Sequence, residues 1–320
     1  MTQYILRRVL VSIPVLLGIT IVAYFIMTLV PGNFVDTFVS PNMTETDIRL
    51  MEEKLNLDKP VYLQYLGWLR NILSGNLGYS FVTRGPVTDR IIDRAGATLV
   101  LAASAVFLSY LIGIPLGVLS AVRQYSVVDW AATFVSFVGV SAPSFFVGLI
   151  GIYVFSLRLN LLPSGGRRTM GMDFSLMDQM RHLILPATVL AWGYSSRVLR
   201  YVRSSMLDVI HQDYVQTARS KGLREYYLVF RHALPNALTP VITLFGLQFP
   251  MLLGGAVITE TVFSWPGLGR LAVESIHKRD YPVIMAIILV AAVMVLIGNL
   301  LADVLYGVVD PRIRLGDGES

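Results

Sequence analysis

Long uncharged apolar runs, separated by shorter polar stretches, set the pattern of this chain. A helix crosses the ~30 Å hydrocarbon core of a bilayer with about 20 residues. Val9–Val30, Thr98–Val122, Trp130–Leu157, Ala237–Thr259 and Tyr281–Ala302 each reach that length without an acidic or basic residue. A sixth run, Leu183–Ser196, is shorter. It spans by continuing through Arg197, Arg200 and Arg203, whose long stems carry their charge to the interface. The pattern therefore predicts an all-α membrane protein with six transmembrane helices. An even number of spans places both termini on one side. Prolines inside the runs (Pro14, Pro115, Pro143, Pro186, Pro240 and Pro250) are compatible with this, because neighbouring helices re-satisfy the freed carbonyls.

The polar segments subdivide the chain. Residues 1–30 form an N-terminal cytoplasmic segment and the first span. Arg7 and Arg8 resemble a secretory n-region, but the run after them is too long for a signal h-region and "VPGNFV" offers no A-x-A cleavage pattern. Residues 31–97 are predicted as a small extracytoplasmic helical subdomain. "NMTETDIRLMEEKLNL" puts Ile48, Met51 and Leu55 at helical spacing behind capping residues, and "VYLQYLGWLRNIL" reads as a second amphipathic helix. Residues 94–303 hold the other five spans, with the loop 204–236 between the fourth and fifth, and 304–320 form a cytoplasmic tail. Lys and Arg favour cytoplasmic termini once the long 31–97 loop is left out, since long loops translocate largely regardless of charge.

Composition supports lipid as the solvent: 54% of the 320 residues are hydrophobic and only 15% are charged. The mean hydropathy is +0.63. The net charge of +5 is then more simply explained by anchoring at a membrane surface than by nucleic acid. There is no cysteine, which excludes disulfides, thiolate metal sites and thiol nucleophiles.

Catalytic patterns are missing. No G-x4-G-K-[ST] is present to cradle ATP phosphates. The four histidines, His182, His211, His232 and His277, lie outside the apolar runs and form no H-x3-H or HExxH spacing. Ser195 and Ser196 would need a histidine within another span to act as an intramembrane nucleophile, and no span holds one. Arg197, Arg200 and Arg203 copy the spacing of a voltage-sensor helix, but their place at the end of a span reads as an interfacial anchor. Asp303 and Asn299 read as the polar end of the last span rather than a cation site.

The loop "DYVQTARSKGLREYYLVFRHALPNA" (213–237) is the exception to the greasy pattern. Ser205-x-x-Asp208 offers a capping box. Leu207, Ile210, Tyr214 and Ala218 then form one apolar stripe, Arg219 and Lys221 suit a helix C-terminus, and Gly222 is placed to stop the helix at positive φ. A second short helix is expected over Arg224–Ala233, and Pro235 begins the return to the membrane. Periodicity alone fits two arrangements equally: an amphipathic hairpin lying on anionic lipid, or a helix presented to a groove in a cytosolic partner.

At these residues the chain resembles the permease subunits of binding-protein-dependent ABC importers, in the dipeptide/oligopeptide branch and its B-type subunit. The family pattern is E-A-A, three residues, Gly, nine residues, I-x-L-P. This chain has Gln216-Thr217-Ala218, then Gly222, then His232-Ala233-Leu234-Pro235, with Gln216, Thr217 and His232 as departures. The likeness extends to "LVPGN", "LDKPVYLQYLGWL", "GNLGYSF", "LILPA", "TETVFSWPGLGRL", "RDYPV" and "DVLYGVVDPRIR". It implies a type I ABC importer permease fold in a prokaryotic cytoplasmic (inner) membrane. The implied partners are a second homologous permease subunit, two cytosolic ABC ATPase subunits that bind the ATP and Mg, and an extracytoplasmic peptide-binding protein. The chain itself is then no enzyme and binds no cofactor or metal. The ATPase-coupling residues would be Tyr214, Gln216, Thr217, Ala218, Arg219, Lys221, Gly222, Leu234 and Pro235. Trp265, Pro266, Gly267 and Gly269, around a type II turn, are candidates for the outer gate or binding-protein contact. Tyr110, Tyr194, Gln248 and Asn299 are candidates for the path lining. Glutathione or nickel chelates are alternative solutes in such a family. A self-sufficient secondary transporter is a different reading, but such proteins often show inverted repeats and intramembrane charges, and this sequence shows neither.

Overall fold

The computed structural model describes residues 2–29, 46, 58–171, 173–239, 241, 244–245 and 256–309. Among these residues the architecture is helical, with one isolated bridge between Tyr79 and Pro86 and no strand. The helices are α1 (Thr2–Thr28), α2 (Val61–Leu73), α3 (Val87–Val122), α4 (Val127–Ser141), α5 (Ser144–Gly151), α6 (Leu176–Ile210), α7 (Asp213–Ser220), a composite α8 over 225–237, α9 (Leu268–His277) and α10 (Tyr281–Val309). Three segments within them, Leu6–Thr28, Val87–Val122 and Tyr281–Leu301, are long and apolar enough to cross a bilayer. The helix expected over 42–57 lies outside the described residues, as do most of the fifth span and the end of the tail.

The chain divides into two compact units. The first comprises residues 1–96 and 271–296. Within it α1 meets α2 through polar and aromatic side chains. Thr20, buried on α1, shares a hydrogen bond of 3.1 Å with the Tyr65 hydroxyl. Tyr24 stands edge-on to Tyr65 with ring centres 5.5 Å apart. Most of the remaining apolar surface of α1 is exposed, as expected for a helix solvated by lipid. The turn after α2 is fastened elsewhere in the unit by buried Asp280. This carboxylate accepts bonds from Ser80 Oγ at 2.5 Å and Phe81 N at 3.0 Å, and pairs with Arg90 at 3.3 Å.

The second unit comprises residues 97–270 and 297–320, and α6 is its axis. Close approach to α6 is made possible by glycines. A Cβ on Gly113 would fall 2.7 Å from Val198 Cβ and 2.9 Å from the Ser195 carbonyl, and one on Gly117 would fall 2.7 Å from Val202 Cβ. Gly113 and Gly117 are spaced as G-x3-G, which lets backbones touch where lipid supplies no hydrophobic drive. On α4, Gly139 plays the same part against Ser196 and Trp192, and Ser136 Oγ donates to the Ser196 carbonyl at 2.9 Å.

Two expectations are corrected. Trp130–Leu157 is not a straight span: α4 and the segment 144–158, whose second half is π-helical, meet at 107°. Pro143 lacks an N–H and pushes Ala142 out of the helical region, to φ −74 and ψ 128. Fifteen residues of α4 rise only about 22 Å, so neither arm crosses alone. The capping box at Ser205-x-x-Asp208 is also absent, because α6 runs without interruption through it for 35 residues. The helix does continue from the short run Leu183–Ser196 through Arg197, Arg200 and Arg203. Arg203 grips the buried Asp129 with Nε at 2.7 Å from Oδ1 and a second guanidinium nitrogen at 2.8 Å from Oδ2. Ser120 Oγ and Tyr125 N donate to the same carboxylate.

Candidate functional site

The loop 204–236 folds as a hairpin whose root is buried and whose tip is exposed. α6 ends at Ile210, and an extended Gln212 redirects the chain into α7. The stripe expected from Leu207 to Ala218 is therefore split between two helices. Leu207, Ile210 and Ala218 pack against the hairpin's own core, whereas Tyr214 is exposed. The residue that anchors α7 is Val215, at 0% exposure, which the stripe had omitted. On the returning arm, Leu228, Val229 and Ala233 are buried beside Val202, Met206 and Val209 of α6. The hairpin is thus one packed body with the end of that helix.

Gly222 stops α7 as expected. Its φ is +80, the Gly222 N–H bonds the Arg219 carbonyl at 3.0 Å, and the Leu223 N–H reaches the Ala218 carbonyl at 3.4 Å. This pair of bonds is the Schellman closure, which needs a left-handed residue at that position. Arg219 does not wait for an acidic partner: its Nε lies 2.7 Å from Glu225 Oε1, bridging the two arms across the turn. Both side chains are well exposed, so the pair fixes geometry more than it adds stability. The returning arm begins as Glu225–Tyr227, passes through π-helical Leu228–Ala233 and continues as Leu234–Ala237. The single regular helix expected over Arg224–Ala233 is thus replaced by a wider turn, a form frequent at functional sites. Asn236 Nδ2 donates to the Tyr214 hydroxyl at 3.1 Å, closing the root. Left exposed are Gln216, Thr217, Lys221, Gly222, Arg224 and Pro235, together with the rings of Tyr226, Tyr227 and Phe230; Leu234 is half-buried.

The second group of candidates lies mostly inside. Trp265 is 1% exposed and its Nε1 donates to the Ala97 carbonyl at 2.9 Å. Gly267 and Gly269 are buried and Pro266 half-buried. The expected type II turn is not formed. Among the described residues the glycines at positive φ are Gly75, Gly78, Gly166, Gly171 and Gly222, and the Gly267 N–H closes a tighter three-residue turn onto Trp265 O at 2.8 Å. The reason is Glu260, fully buried, which accepts from Thr98 Oγ1 at 2.6 Å and Arg270 N at 3.0 Å. A Cβ on Gly267 would lie 2.1 Å from its Oε1. Sequence reading missed Glu260; the available signal was a carboxylate at the edge of an apolar run, just before two close glycines.

The path candidates are not brought together. Tyr110 packs on the C-terminal cluster of α6 with its ring 5.7 Å from Phe245, and Tyr194 packs on the N-terminal cluster. Asn299 is exposed on α10, and Gln248 lies outside the described residues. The arginine series separates as well: Arg197 lies over the Tyr194 ring at 5.6 Å, Arg200 over Phe137 at 5.8 Å, and Arg203 holds Asp129. Among the described residues no group of three or more acidic or histidine side chains is placed to hold a metal ion.

Comparison with known proteins gives this geometry a context. Residues 113–315 match the family described as binding-protein-dependent transport system inner membrane component, and residues 1–102 match its N-terminal counterpart. The oligopeptide transport system permease protein AppB of Bacillus subtilis is 49% identical over 315 residues, covering 98% of this chain and 100% of that one. The dipeptide transport system permease protein DppB of Escherichia coli K12 is 40% identical over 340 residues, covering 98% and 99%. Among solved structures, the inward-facing MetNI methionine ABC transporter aligns with a TM-score of 0.55 at 17% identity, over 69% of this chain and 96% of that one. An amino acid ABC transporter with histidines aligns at 0.52 and 20% identity, over 68% and 94%.

Proposed function

The chain belongs to the family of binding-protein-dependent transport system inner membrane components, and we propose that it is the membrane-spanning permease subunit of an ATP-driven peptide importer. The names of its relatives favour dipeptides and oligopeptides over other solutes. In this reading the chain makes six spans with both termini cytoplasmic. It forms half of a translocation path whose other half is a second, related permease. Two cytosolic ATPase subunits bind ATP and Mg, and an extracytoplasmic binding protein delivers the peptide.

The observation that carries the reading is the hairpin. A tip rich in exposed polar and aromatic groups is rigidly joined, through Val215, Leu228, Val229 and Ala233, to the end of a 35-residue helix. A force applied at the tip is then delivered to α6 and to the helices packed on its glycine contacts. That is the mechanical requirement for alternating access driven from outside the membrane. Tyr214, Gln216, Thr217, Lys221 and Gly222 would meet the ATPase, while Ala218 and Leu234 support the tip from within.

Gly222→Pro tests this. The ring fixes φ near −65° and removes the N–H of the Schellman pair. Expected are assembled spans, but loss of ATPase copurification or of peptide-stimulated ATP hydrolysis in proteoliposomes. Wild-type behaviour in both assays would remove the hairpin from the coupling role.

A further inference from the structure

Residues 159–171 lead the chain from the π-helical arm towards the start of α6, and they are fastened at their beginning, middle and end. The beginning is held through main-chain acceptors. Leu161 N and Leu162 N donate to the Phe155 carbonyl at 2.9 and 3.2 Å, Ser156 Oγ donates to the Leu162 carbonyl at 2.6 Å, and Arg181 of α6 donates to the Leu161 carbonyl at 3.2 Å. The middle is pressed onto the turn at Phe263. Gly166 N donates to the Phe263 carbonyl at 2.8 Å, and a Cβ on Gly165 would stand 2.4 Å from that oxygen. The end is held by side chains that titrate. Asp178, in the first turn of α6, accepts from Thr169 N and Thr169 Oγ1, both at 2.7 Å. His182, one turn further and 6% exposed, has Nδ1 at 2.9 Å from the Gly165 carbonyl. Its Nε2 lies 3.4 Å from Thr169 Oγ1 and 3.6 Å from Asp178 Oδ1.

Both ring nitrogens of His182 therefore face acceptors. A carbonyl can only accept, so Nδ1 donates to Gly165 in either charge state. In the neutral ring Nε2 then carries a lone pair, and it competes with the Asp178 carboxylate for one hydroxyl proton, that of Thr169. In the imidazolium Nε2 donates as well, and ring, hydroxyl and carboxylate are satisfied together. The Asp178 carboxyl is held below its usual range by the backbone and side-chain bonds of Thr169, and then by the charges of His182 and Arg181. It thus stays ionised while the ring titrates. Of the other charged groups on the packed elements, Arg181 is turned to Leu161, and Arg167 and Arg168 are on the segment itself. On the Phe263 side Arg270 donates to the Ser264 carbonyl at 2.7 Å, and Glu260 accepts from Thr98 and Arg270 N. Among the described residues Asp178 is the one carboxylate within ion-pair reach of the ring. We propose that residues 163–171 are a pH-sensitive strap, which protonation of His182 ties to α6 and holds against the turn at Phe263. The fastened form keeps a proton that the released form gives up, so the strap tightens as pH falls and loosens as pH rises. In the six-span reading it lies on the extracytoplasmic side and senses the external pH; the strap itself needs only the fold.

The test is backbone hydrogen exchange of the full chain in detergent micelles at pH 5.5 and pH 8, read by mass spectrometry with the intrinsic rates divided out. Peptides covering 163–171 should be about threefold better protected at the lower pH, the scale of a partly exposed ion pair. Peptides from 102–118 of α3 should show no such change. His182→Gln keeps a donor and an acceptor but cannot gain a proton, so its protection over 163–171 should be the same at both pH values. Asp178→Asn removes the charge to which Nε2 donates and should flatten the profile in the same way; it also serves should His182→Gln fail to assemble. Equal protection at both pH values in the wild-type chain overturns the strap. So does a pH dependence that persists undiminished in either variant.

Discussion

Asp129→Ala removes the acceptor at the centre of the network that ties the start of α4 to α6. Five donors converge on that carboxylate: two guanidinium nitrogens of Arg203, Ser120 Oγ, Tyr125 N and, more distantly at 3.5 Å, Thr133 Oγ1 of the same helix. After truncation Ser120 can turn its hydroxyl to a carbonyl of its own helix, and Tyr125 stands at an exposed turn where water reaches it. The loss is therefore chiefly that of Arg203. Breaking a buried pair from one side costs about 3–5 kcal/mol. The Asp129 side chain is 5% exposed but that of Arg203 is 26% exposed, so solvent relieves part of the stranded charge and the lower end, about 3 kcal/mol, applies. Equilibrium unfolding in detergent micelles measures it. Arg203→Met in the Asp129→Ala background should recover most of the loss, because an apolar pair replaces an ion pair at little cost. A loss below about 1 kcal/mol for Asp129→Ala, or single-mutant effects that simply add within about 0.5 kcal/mol, would refute the argument.

Other outcomes follow from the same structure. Gly117→Val places a branched side chain against Val202 and the Leu199 carbonyl, where even a Cβ is too close; overpacking of about 1–3 kcal/mol or more is expected, read as lower thermal stability in detergent, with Gly18→Val, where a Cβ meets nothing within 4 Å, as the neutral control. Single cysteines in this cysteine-free chain report the orientation: an impermeant thiol reagent should reach Tyr226→Cys from the cytoplasmic side alone and Phe174→Cys from the opposite side alone, and the reverse pattern would invert the topology. Gly222→Ala keeps the N–H but holds a Cβ at φ +80, so it should be milder than Gly222→Pro, about 1–2 kcal/mol in hairpin stability by amide exchange.

Features set by local chemistry were legible in the sequence. The uncharged runs mark α1, α3 and α10, the amphipathic repeat marks α2, and a glycine after a short basic helix marks a left-handed stop. What escaped depends on partners far along the chain. Pro143 reads like the other span prolines, because lipid-embedded helices tolerate proline, and only the packing shows that this one breaks its helix by 107°. Arg203 sits in an arginine series that suggests an anchor; its partner Asp129 lies 74 positions away. The Trp-Pro-Gly loop looks like surface because turn residues usually are, but a buried carboxylate at Glu260 draws it inside. The capping signal at Ser205 was overridden by a helix whose buried face continues past it.

The central claim is that this chain carries peptide inward on the energy of a separate ATPase, received through the 213–237 hairpin. Uptake of labelled peptide into proteoliposomes containing both permeases, both ATPases and external binding protein, with ATP enclosed or omitted, tests it most directly. Accumulation against the gradient should require this chain and ATP together, and should stop with Gly222→Pro although the membrane spans remain assembled. Uphill accumulation by the purified chain alone, without ATP, would contradict the account.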